Sequence, residues 1–468
     1  MDNKIFLYNT LSNRKEEFNS ESSEVGLYTC GPTVYNFAHI GNLRTYIFED
    51  LLKRTLSYFD YPVKHVMNIT DVGHLVGDMD MGEDKMESGA LREGRSAWDI
   101  ASFYTEAFKS DLQHLNIIEP NIYCRATDHI NEQIALIARL EEKGFTYKTS
   151  DGIYFNTALI KDYNKLSHLP LEELQEGARV EKNLEKKNST DFALWKFSPV
   201  GSNRQMEWDS PWGIGFPGWH IECSAMSLRY LSGQLDIHCG GVDHINIHHT
   251  NEIAQSEAAT GEKFFNYWLH GAFLIVPGGK KMAKSSGDFL TLENTFISQD
   301  IDPLAYRFLL LQGHYRKPME WRPDSALNAL SGLESLRRKI TELKSETSGE
   351  GRLIDSFVSR FRAALADDLN IPQALALVQE LLKSDEEAND RLKTILNFDA
   401  VLGLGLAHIS RDDLSLGSLP DDIKKLLTAR NSARDSKDWS ESDRLRDEIR
   451  SRGYLVEDTK DGMKISKA

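Results

Sequence analysis

Residues 25–69 read as strand, loop, helix and strand, an order that leaves few folds open. Val25–Thr29 and Val63–Ile69 are apolar runs of strand length. Between them Leu43, Ile47, Leu51, Leu52 and Leu56 recur at helical spacing, which predicts a helix over about 43 to 59. Strand, helix and strand within about 45 residues make a right-handed crossover unit of a parallel sheet, and ligands of such sheets bind beyond the carboxyl ends of the strands. His39 and Thr70 fall at such ends. In the loop Pro32-Thr33-Val34-Tyr35-Asn36-Phe37-Ala38-His39-Ile40-Gly41-Asn42, Gly41 lets the backbone approach a planar base. His39 and Asn42 present donors at a helix N-terminus. About 240 residues later, Phe273-Leu274-Ile275-Val276 and a Gly278-Gly279 turn precede Lys280-Lys281-Met282-Ala283-Lys284-Ser285-Ser286. Lys281 and Lys284 are mobile positive charge suited to a polyphosphate. Each signature makes chemical sense with the other, and together they imply activation of a carboxylate by ATP.

A chain of 468 residues is too long for one core. The residue pattern divides it into five parts. Residues 1–125 and 215–270 form a sheet domain, 126–214 an inserted module, 271–324 the region of the lysine signature, 325–404 a helical bundle and 405–468 a small tail module. In the insert, Ile130, Ile134, Ile137 and Leu140 predict a helix closed by Gly144, and Asp151-Gly152 a hairpin. Residues 75 to 97, charged, glycine-containing and poor in apolar side chains, read as a mobile excursion. The tail reads as a linker, two helices and two short strands split by Asp461-Gly462. A net charge of -16 argues against a nonspecific nucleic-acid coat, while leaving room for RNA binding through a local patch. No window approaches 18 uninterrupted apolar residues, and Met1-Asp2-Asn3-Lys4 leads straight into Ile5-Phe6-Leu7-Tyr8, so a cytoplasmic enzyme without a membrane span is expected. The four cysteines, at 30, 124, 223 and 239, have no regular spacing and fit reduced thiols or metal ligation better than a disulfide framework.

A third constellation bears on the substrate. His248 and Glu252, four residues apart, share one face of a helix. Cys223 lies upstream, and Cys30 ends the first strand beside the histidine signature. Two sulfurs, an imidazole and a carboxylate suit a tetrahedral zinc site, although the same residue types also fit simple core packing.

With these residues in view, the chain resembles the cysteinyl-tRNA synthetases, class I enzymes, nearly end to end. The histidine signature is similar to the family's HIGH motif, and Lys281-Met282-Ala283-Lys284-Ser285 to its KMSKS motif. Flanking segments resemble the family as well: Tyr28-Thr29-Cys30-Gly31-Pro32-Thr33-Val34-Tyr35, Asn68-Ile69-Thr70-Asp71-Val72, Gly218-Trp219-His220-Ile221-Glu222-Cys223-Ser224-Ala225-Met226 and Asn251-Glu252-Ile253-Ala254-Gln255-Ser256. The resemblance implies an α/β fold: a Rossmann-like catalytic domain with an inserted module, then a helical bundle and a small mixed α/β C-terminal domain. It implies that Cys30, Cys223, His248 and Glu252 bind one zinc ion, and that His39, Asn42, Lys281 and Lys284 serve ATP, which arrives with magnesium. Thr33, Thr70, Trp219, His238 and Asp243 match positions of the amino-acid pocket. Arg434, Trp439, Asp443 and Asp458 match the anticodon module, where stacking and base-edge contacts are expected. A monomer acting on L-cysteine, ATP and cysteine tRNA follows by the same resemblance.

Zinc has a chemical purpose in such an enzyme. An ordinary pocket separates near isosteres such as cysteine and serine by only about 10², whereas protein synthesis needs roughly 10⁴ or more. Zinc prefers thiolate to hydroxyl, so no hydrolytic proofreading is expected of residues 126–214. The chain departs from the common family pattern at Asn42, Ala283, Cys239 and Thr250, and Val72-Gly73-His74-Leu75 lacks a frequent acidic pair. Two other readings stand beside the first. A related ligase joins cysteine to an amino sugar, against which residues 405–468 count; a retired tRNA-binding paralogue would have lost groups that are intact here.

Overall fold

The computed structural model describes residues 4–73, 84–170, 183–199, 201, 204–231, 235–278, 280–281, 289–409, 419–459 and 462–467. A short hairpin, β1 (Phe6–Asn9) and β2 (Arg14–Glu17), leads into β3 (Val25–Thr29), helix α1 (Ile40–Tyr58) and β4 (Val63–Ile69). Helices α2 (Lys85–Glu93) and α3 (Ala97–His114) follow, then β5 (Ile122–Arg125) and α4 (Ile130–Glu142). Strands β6 (Thr146–Lys148), β7 (Gly152–Phe155), β8 (Phe192–Phe197) and β9 (Gly215–Pro217) make an antiparallel sheet in that order. The chain then returns through α5 (Trp219–Leu231), β10 (Ile237–Gly241), α6 (Thr250–Thr260) and β11 (Tyr267–Gly271).

Five of these strands form one parallel sheet in the order β11-β10-β3-β4-β5, the α/β architecture expected from the first crossover. Successive side chains of a strand face opposite sides, and the core divides accordingly. Leu27 and Met67 pack with Ile47 and Leu51 of α1, while Tyr28 and Val66 pack with Ile221 of α5 and Ile253 of α6. The strand order runs one way from β3 to β4 and β5 and the other way to β10 and β11. A crevice therefore opens at the carboxyl ends of β3 and β10.

Two expectations need correction. Helix α1 begins at Ile40 rather than near residue 43, because His39 caps it: His39 Nδ1 accepts the Asn42 N–H at 3.1 Å and Asn42 Oδ1 accepts the His39 N–H at 3.4 Å. Within residues 75 to 97, read as a mobile excursion, α2 occupies 85–93. Asp84 caps it by accepting from the N–H groups of Met86 and Glu87, Gly94 closes it in the left-handed conformation, and Met86 and Ala90 anchor it in the core. Residues 74–83 lie outside the described residues.

Beyond the sheet, β12 (Leu274–Val276) pairs with β13 (Lys280–Lys281) and with β14 (Met319–Glu320), on either side of α7 (Leu292–Thr295) and α8 (Leu304–Leu311) in the chain. Helices α9 (Ser325–Glu346), α10 (Asp355–Ala366), α11 (Ile371–Leu382) and α12 (Ala388–Leu402) form the bundle. Two buried side chains tie it to the sheet domain. Arg307 of α8 donates to Asp50 Oδ2 of α1 at 2.6 Å, to the Leu402 carbonyl at 2.7 Å and to the Leu115 carbonyl at 3.1 Å. Asp368 accepts from the Tyr8 N–H, the Tyr315 hydroxyl and Arg316 Nε. The tail folds as the helices Asp421–Asp435 and Trp439–Ser451 and the antiparallel strands Tyr454–Thr459 and Gly462–Lys467, the order read from sequence. No helix among the described residues is long and apolar enough to cross a membrane.

Candidate active site and metal centre

The crevice at the sheet's switch point is a cleft of about 290 Å³. Cys30, Thr33, His39, Asn42, Thr70, Trp219, Cys223, Asp243 and His248 all line it. Residues from opposite ends of the sequence meet here because β10 inserts beside β3: the Cys30 N–H donates to the Cys239 carbonyl at 3.1 Å, and Asp243 follows the end of β10. His238 and Glu252 sit behind the cleft wall, both fully buried.

Cys30, Cys223, His248 and Glu252 are all buried, and one ligating atom of each lies within 4.8 Å of every other. Cys223 comes from the first turns of α5, and Cys30 from the loop after β3. His248 ends a π-helical turn, Ile245–His249, that runs into α6, so the pair His248 and Glu252 stays on one face through the junction. The donor set fits a tetrahedral zinc ion, whose bond lengths of about 2.0–2.3 Å require ligand edges of roughly 3.3–3.8 Å. Three of the four donors are also held from behind by histidines. Cys30 Sγ lies 3.3 Å from His249 Nε2, His248 Nδ1 lies 3.0 Å from His220 Nδ1, and His238 Nε2 lies 3.0 Å from Glu252 Oε2. This support leaves His248 Nε2 and Glu252 Oε1 for an ion, while Cys30 keeps further lone pairs on the same sulfur. Glu252 Oε1 accepts no hydrogen bond although buried, with His248 Nε2 3.0 Å away.

A second group, Cys30, His238, His249 and Glu252, also falls within 4.8 Å. It shares two members with the first, and its histidines are the ones already bonded to Cys30 and Glu252, which reads as outer support. Electrostatics agree with a cluster poised for a cation. Hydrogen bonding with Cys30 holds the Cys223 thiol below its ordinary value against the cost of burial. Burial opposes the charge on Glu252, but His238 and His248 hold its carboxyl down at about 2. Burial likewise opposes the His248 cation, yet Glu252 and Cys223 hold it up at about 10. Burial first, and then the hydrogen bond and charge of Cys223 and the charge of Glu252, push the Cys30 thiol well up. Cys239 is buried in β10 and belongs to neither group.

At the other end of the cleft lies the N-terminus of α1. Gly41 is required there because a Cβ would come within 2.9 Å of the His39 ring. The region of the lysine signature abuts this helix end: the Ile40 N–H donates to the Leu290 carbonyl at 2.9 Å, and the His39 and Phe289 rings stand edge to face at 6.1 Å. The Lys281 backbone pairs with Ile275; Lys284 lies outside the described residues. Trp219 stacks obliquely on His248 at 4.1 Å and forms one wall. Thr33 and Thr70 are bridged through their backbones.

In the tail, Trp439 is 59% exposed, Asp443 is exposed beside Arg446 at 3.1 Å and Arg434 is half-buried; Asp458 lies on the strand Tyr454–Thr459 and its side chain falls outside the described residues. Sequence reasoning gave no role to His220, His249, Asn68 or Glu222. A buried Asn at the end of an apolar parallel strand and a buried Glu on α5 were the available signals.

Comparison with known proteins shows the family of the chain. The class I (C) tRNA synthetase catalytic domain family matches residues 17–331, and the cysteinyl-tRNA ligase anticodon-binding domain family matches residues 416–465. The chain is 50% identical over 462 residues to cysteine–tRNA ligase 1 of Burkholderia lata, covering 98% of this chain and 96% of that one. It is 45% identical over 480 residues to the cysteine–tRNA ligase of Treponema denticola, covering 97% of each. In fold it resembles the methionyl-tRNA synthetase of Mycobacterium tuberculosis bound by methionyl-adenylate, with a TM-score of 0.56 at 15% identity over 85% of this chain and 95% of that one. It also resembles LeuRS of Agrobacterium radiobacter K84 in its ternary complex with tRNA and LeuAMS, with a TM-score of 0.59 at 12% identity over 86% of each. Matched in its catalytic part by one family, in its tail by the other and along its whole length by these bacterial relatives, the chain belongs to the class I cysteine–tRNA ligases.

Proposed function

We propose that the chain joins the carboxylate of L-cysteine to the α-phosphate of ATP, releasing pyrophosphate, and then transfers the cysteinyl group to the 3′ end of cysteine tRNA, releasing AMP. The observation that supports this best is the pairing, in one cleft, of a buried sulfur, imidazole and carboxylate cluster with a capped helix N-terminus. A thiol fits the first and a phosphate the second. Cys30, Cys223, His248 and Glu252 would hold zinc, which when bound supplies a thiol-preferring Lewis acid for the substrate sulfur.

Activation builds negative charge on the phosphate oxygens, so the protein's work is positioning and fixed positive partners. His39, Asn42 and the α1 N-terminus take the α-phosphate side, and Lys281 and Lys284 the departing pyrophosphate with its magnesium. Trp219 walls the cleft against water beside the thiol, and Thr33, Thr70 and Asp243 face the rest of the amino acid. His238 acts from behind by orienting Glu252. In this reading 1–125 with 215–270 carry catalysis, the insert 126–214 carries no proofreading, and 271–324 links to the bundle 325–404. Arg434, Trp439, Asp443 and Asp458 of the tail 405–468 read the anticodon. The family resemblance supports a monomer working in the cytoplasm.

The test is ATP–pyrophosphate exchange with cysteine and with serine, on zinc-loaded protein and after chelation. Exchange with cysteine alone, lost on chelation and restored by zinc, is expected. Equal exchange with serine, or exchange indifferent to zinc, would overturn the role given to the metal cluster.

A further inference from the structure

A short segment of the inserted module, residues 204–208, grips the hairpin of α2 and α3 at both helix starts. Arg204 pairs with Asp84, the N-cap of α2, at 2.5 Å, and its Nη2 donates to the Gly73 carbonyl beyond β4 at 2.7 Å. Arg204 Nε donates to the Met206 carbonyl at 2.8 Å, and the guanidinium lies over the Phe216 ring at 3.5 Å. Both charged side chains are 8% exposed, so the pair is little screened by salt. The neighbouring residue holds both helices: Gln205 Oε1 accepts the Ala97 N–H of α3 at 2.9 Å, and the Gln205 N–H donates to Glu87 Oε1 of α2 at 2.8 Å. Met206 is buried in the same core as Met86 and Ile100, and the Trp208 and Trp98 rings stand edge to face at 6.3 Å. Gly73 is fitted to the grip, since a Cβ there would fall 2.2 Å from the Asp84 carboxylate oxygens.

The gripped hairpin is also part of the cleft wall, through Tyr104 and Phe108 of α3. It supports the second half of the loop that ends in His39. Arg92 Nη2 donates to the Tyr35 carbonyl at 3.4 Å, Gly89 lies against the same carbonyl, and the Phe37 ring stands edge to face on Tyr104 at 4.9 Å. The first half of the loop has a different anchor. The Thr70 N–H donates to the Pro32 carbonyl at 3.0 Å and the Val34 N–H to the Thr70 carbonyl at 3.1 Å, while Asp71 accepts from Thr127 at 2.7 and 2.9 Å. So β4 steadies the thiol side of the cleft, and the hairpin steadies the approach to the α1 N-terminus. We infer that Arg204 is a positioning residue for adenylate formation: from the insert it fixes the hairpin, and through the hairpin the placement of His39 toward the α-phosphate. The inference rests on the activation reaction proposed above and gives the insert a part in it. A misplacement of roughly 1 Å, caused far from the reacting atoms, can cost about 10²-fold in rate.

Arg204→Met, Arg204→Lys and Asp84→Asn separate positioning from mere fastening. Lysine keeps the charge but not the planar fork that spans Asp84 and Gly73, and asparagine keeps the α2 cap. Zinc-loaded, full-chain variants are compared below the unfolding transition of each. The readouts are kcat of cysteine-dependent pyrophosphate exchange, calorimetric affinity for cysteine without ATP, and zinc content. Arg204→Met should lower kcat about 10- to 100-fold at unchanged zinc content, with cysteine affinity changed by less than about 3-fold. Arg204→Lys and Asp84→Asn should fall between it and wild type. Arg204→Met combined with Asp84→Asn should be no slower than Arg204→Met alone, because both changes act through one pair. If Arg204→Met does not fold, Arg204→Lys, Asp84→Asn and their combination decide by the same criteria. Unchanged kcat in folded variants, whatever their urea midpoints, would overturn the assignment and leave a fastening only; loss of cysteine affinity in step with kcat would overturn it as well. Failure of wild-type, zinc-loaded protein to exchange pyrophosphate with cysteine would instead sink the underlying function and this inference with it.

Discussion

Replacing Arg307 with Met tests how the bundle is fastened to the catalytic sheet. Arg307 is fully buried, and its guanidinium caps two helix ends at once: the Leu402 carbonyl closes α12, and the Leu115 carbonyl follows α3. Its third partner, Asp50 of α1, also accepts from Arg54 Nε at 2.7 Å and from the Ile118 N–H at 2.9 Å, so it is not left bare by the substitution. Losing the charge-assisted bond costs about 1.5–3 kcal/mol, and leaving two carbonyls buried without donors costs roughly 1–2 kcal/mol each. The expected destabilisation is therefore about 3.5 to 7 kcal/mol. Adding Asp50→Asn should cost less than the sum of the single changes, because the charge-assisted Arg307–Asp50 bond is lost in each single variant but only once in the double. The assay is urea unfolding followed by tryptophan fluorescence and far-UV circular dichroism, read on the transition where the two coincide. A loss below about 1 kcal/mol for Arg307→Met, or strict additivity with Asp50→Asn, would refute the reasoning.

Three further outcomes are expected. Burial, with Glu293 nearby, carries the Asp111 carboxyl to about 7 from an ordinary 3.8. Its folded value lies above its unfolded one, so its favourable contribution is complete below about pH 4 and lost as pH rises through about 7. Asp111→Asn should then stabilise the protein at pH 8 by about 2–4 kcal/mol and flatten the stability profile between those limits; an unchanged profile would contradict the burial argument. Cys223→Ser should lower bound zinc well below one ion per chain and raise the serine-to-cysteine ratio in pyrophosphate exchange; unchanged zinc content, measured by mass spectrometry, would remove Cys223 from the ligand set. Trp439→Ala should raise KM for tRNA in charging roughly 10-fold if the exposed indole stacks on a base, and an equal defect in pyrophosphate exchange would show the effect to be structural.

The sheet domain was readable because its strands are buried on both faces and its first helix is strongly periodic. Val25–Thr29 and Val63–Ile69 come out as strands without tertiary information. The start of α1 was misplaced because its cap is a histidine with an asparagine three residues on, outside the usual Ser, Thr and Asp signals. Helix α2 was missed because only Met86 and Ala90 mark its apolar side across two and a half turns. At the site, residue types and the four-residue spacing of His248 and Glu252 pointed toward a metal, but no spacing joins them to Cys30, 218 positions before His248. Only the insertion of β10 beside β3 does that. The hydrogen-bonded supports, His249 behind Cys30 and Asn68 beneath Thr70, depend on which atoms face each other and have no linear signature.

The most direct test of the account is transfer of labelled cysteine, with ATP and magnesium, to transcribed cysteine tRNA beside a control altered only in the anticodon. Charging of the first with little or none of the second is the predicted result, joining the chemistry of the cleft to the reading role of the tail. Charging of neither by protein that makes cysteinyl adenylate, or equal charging of both, would contradict it.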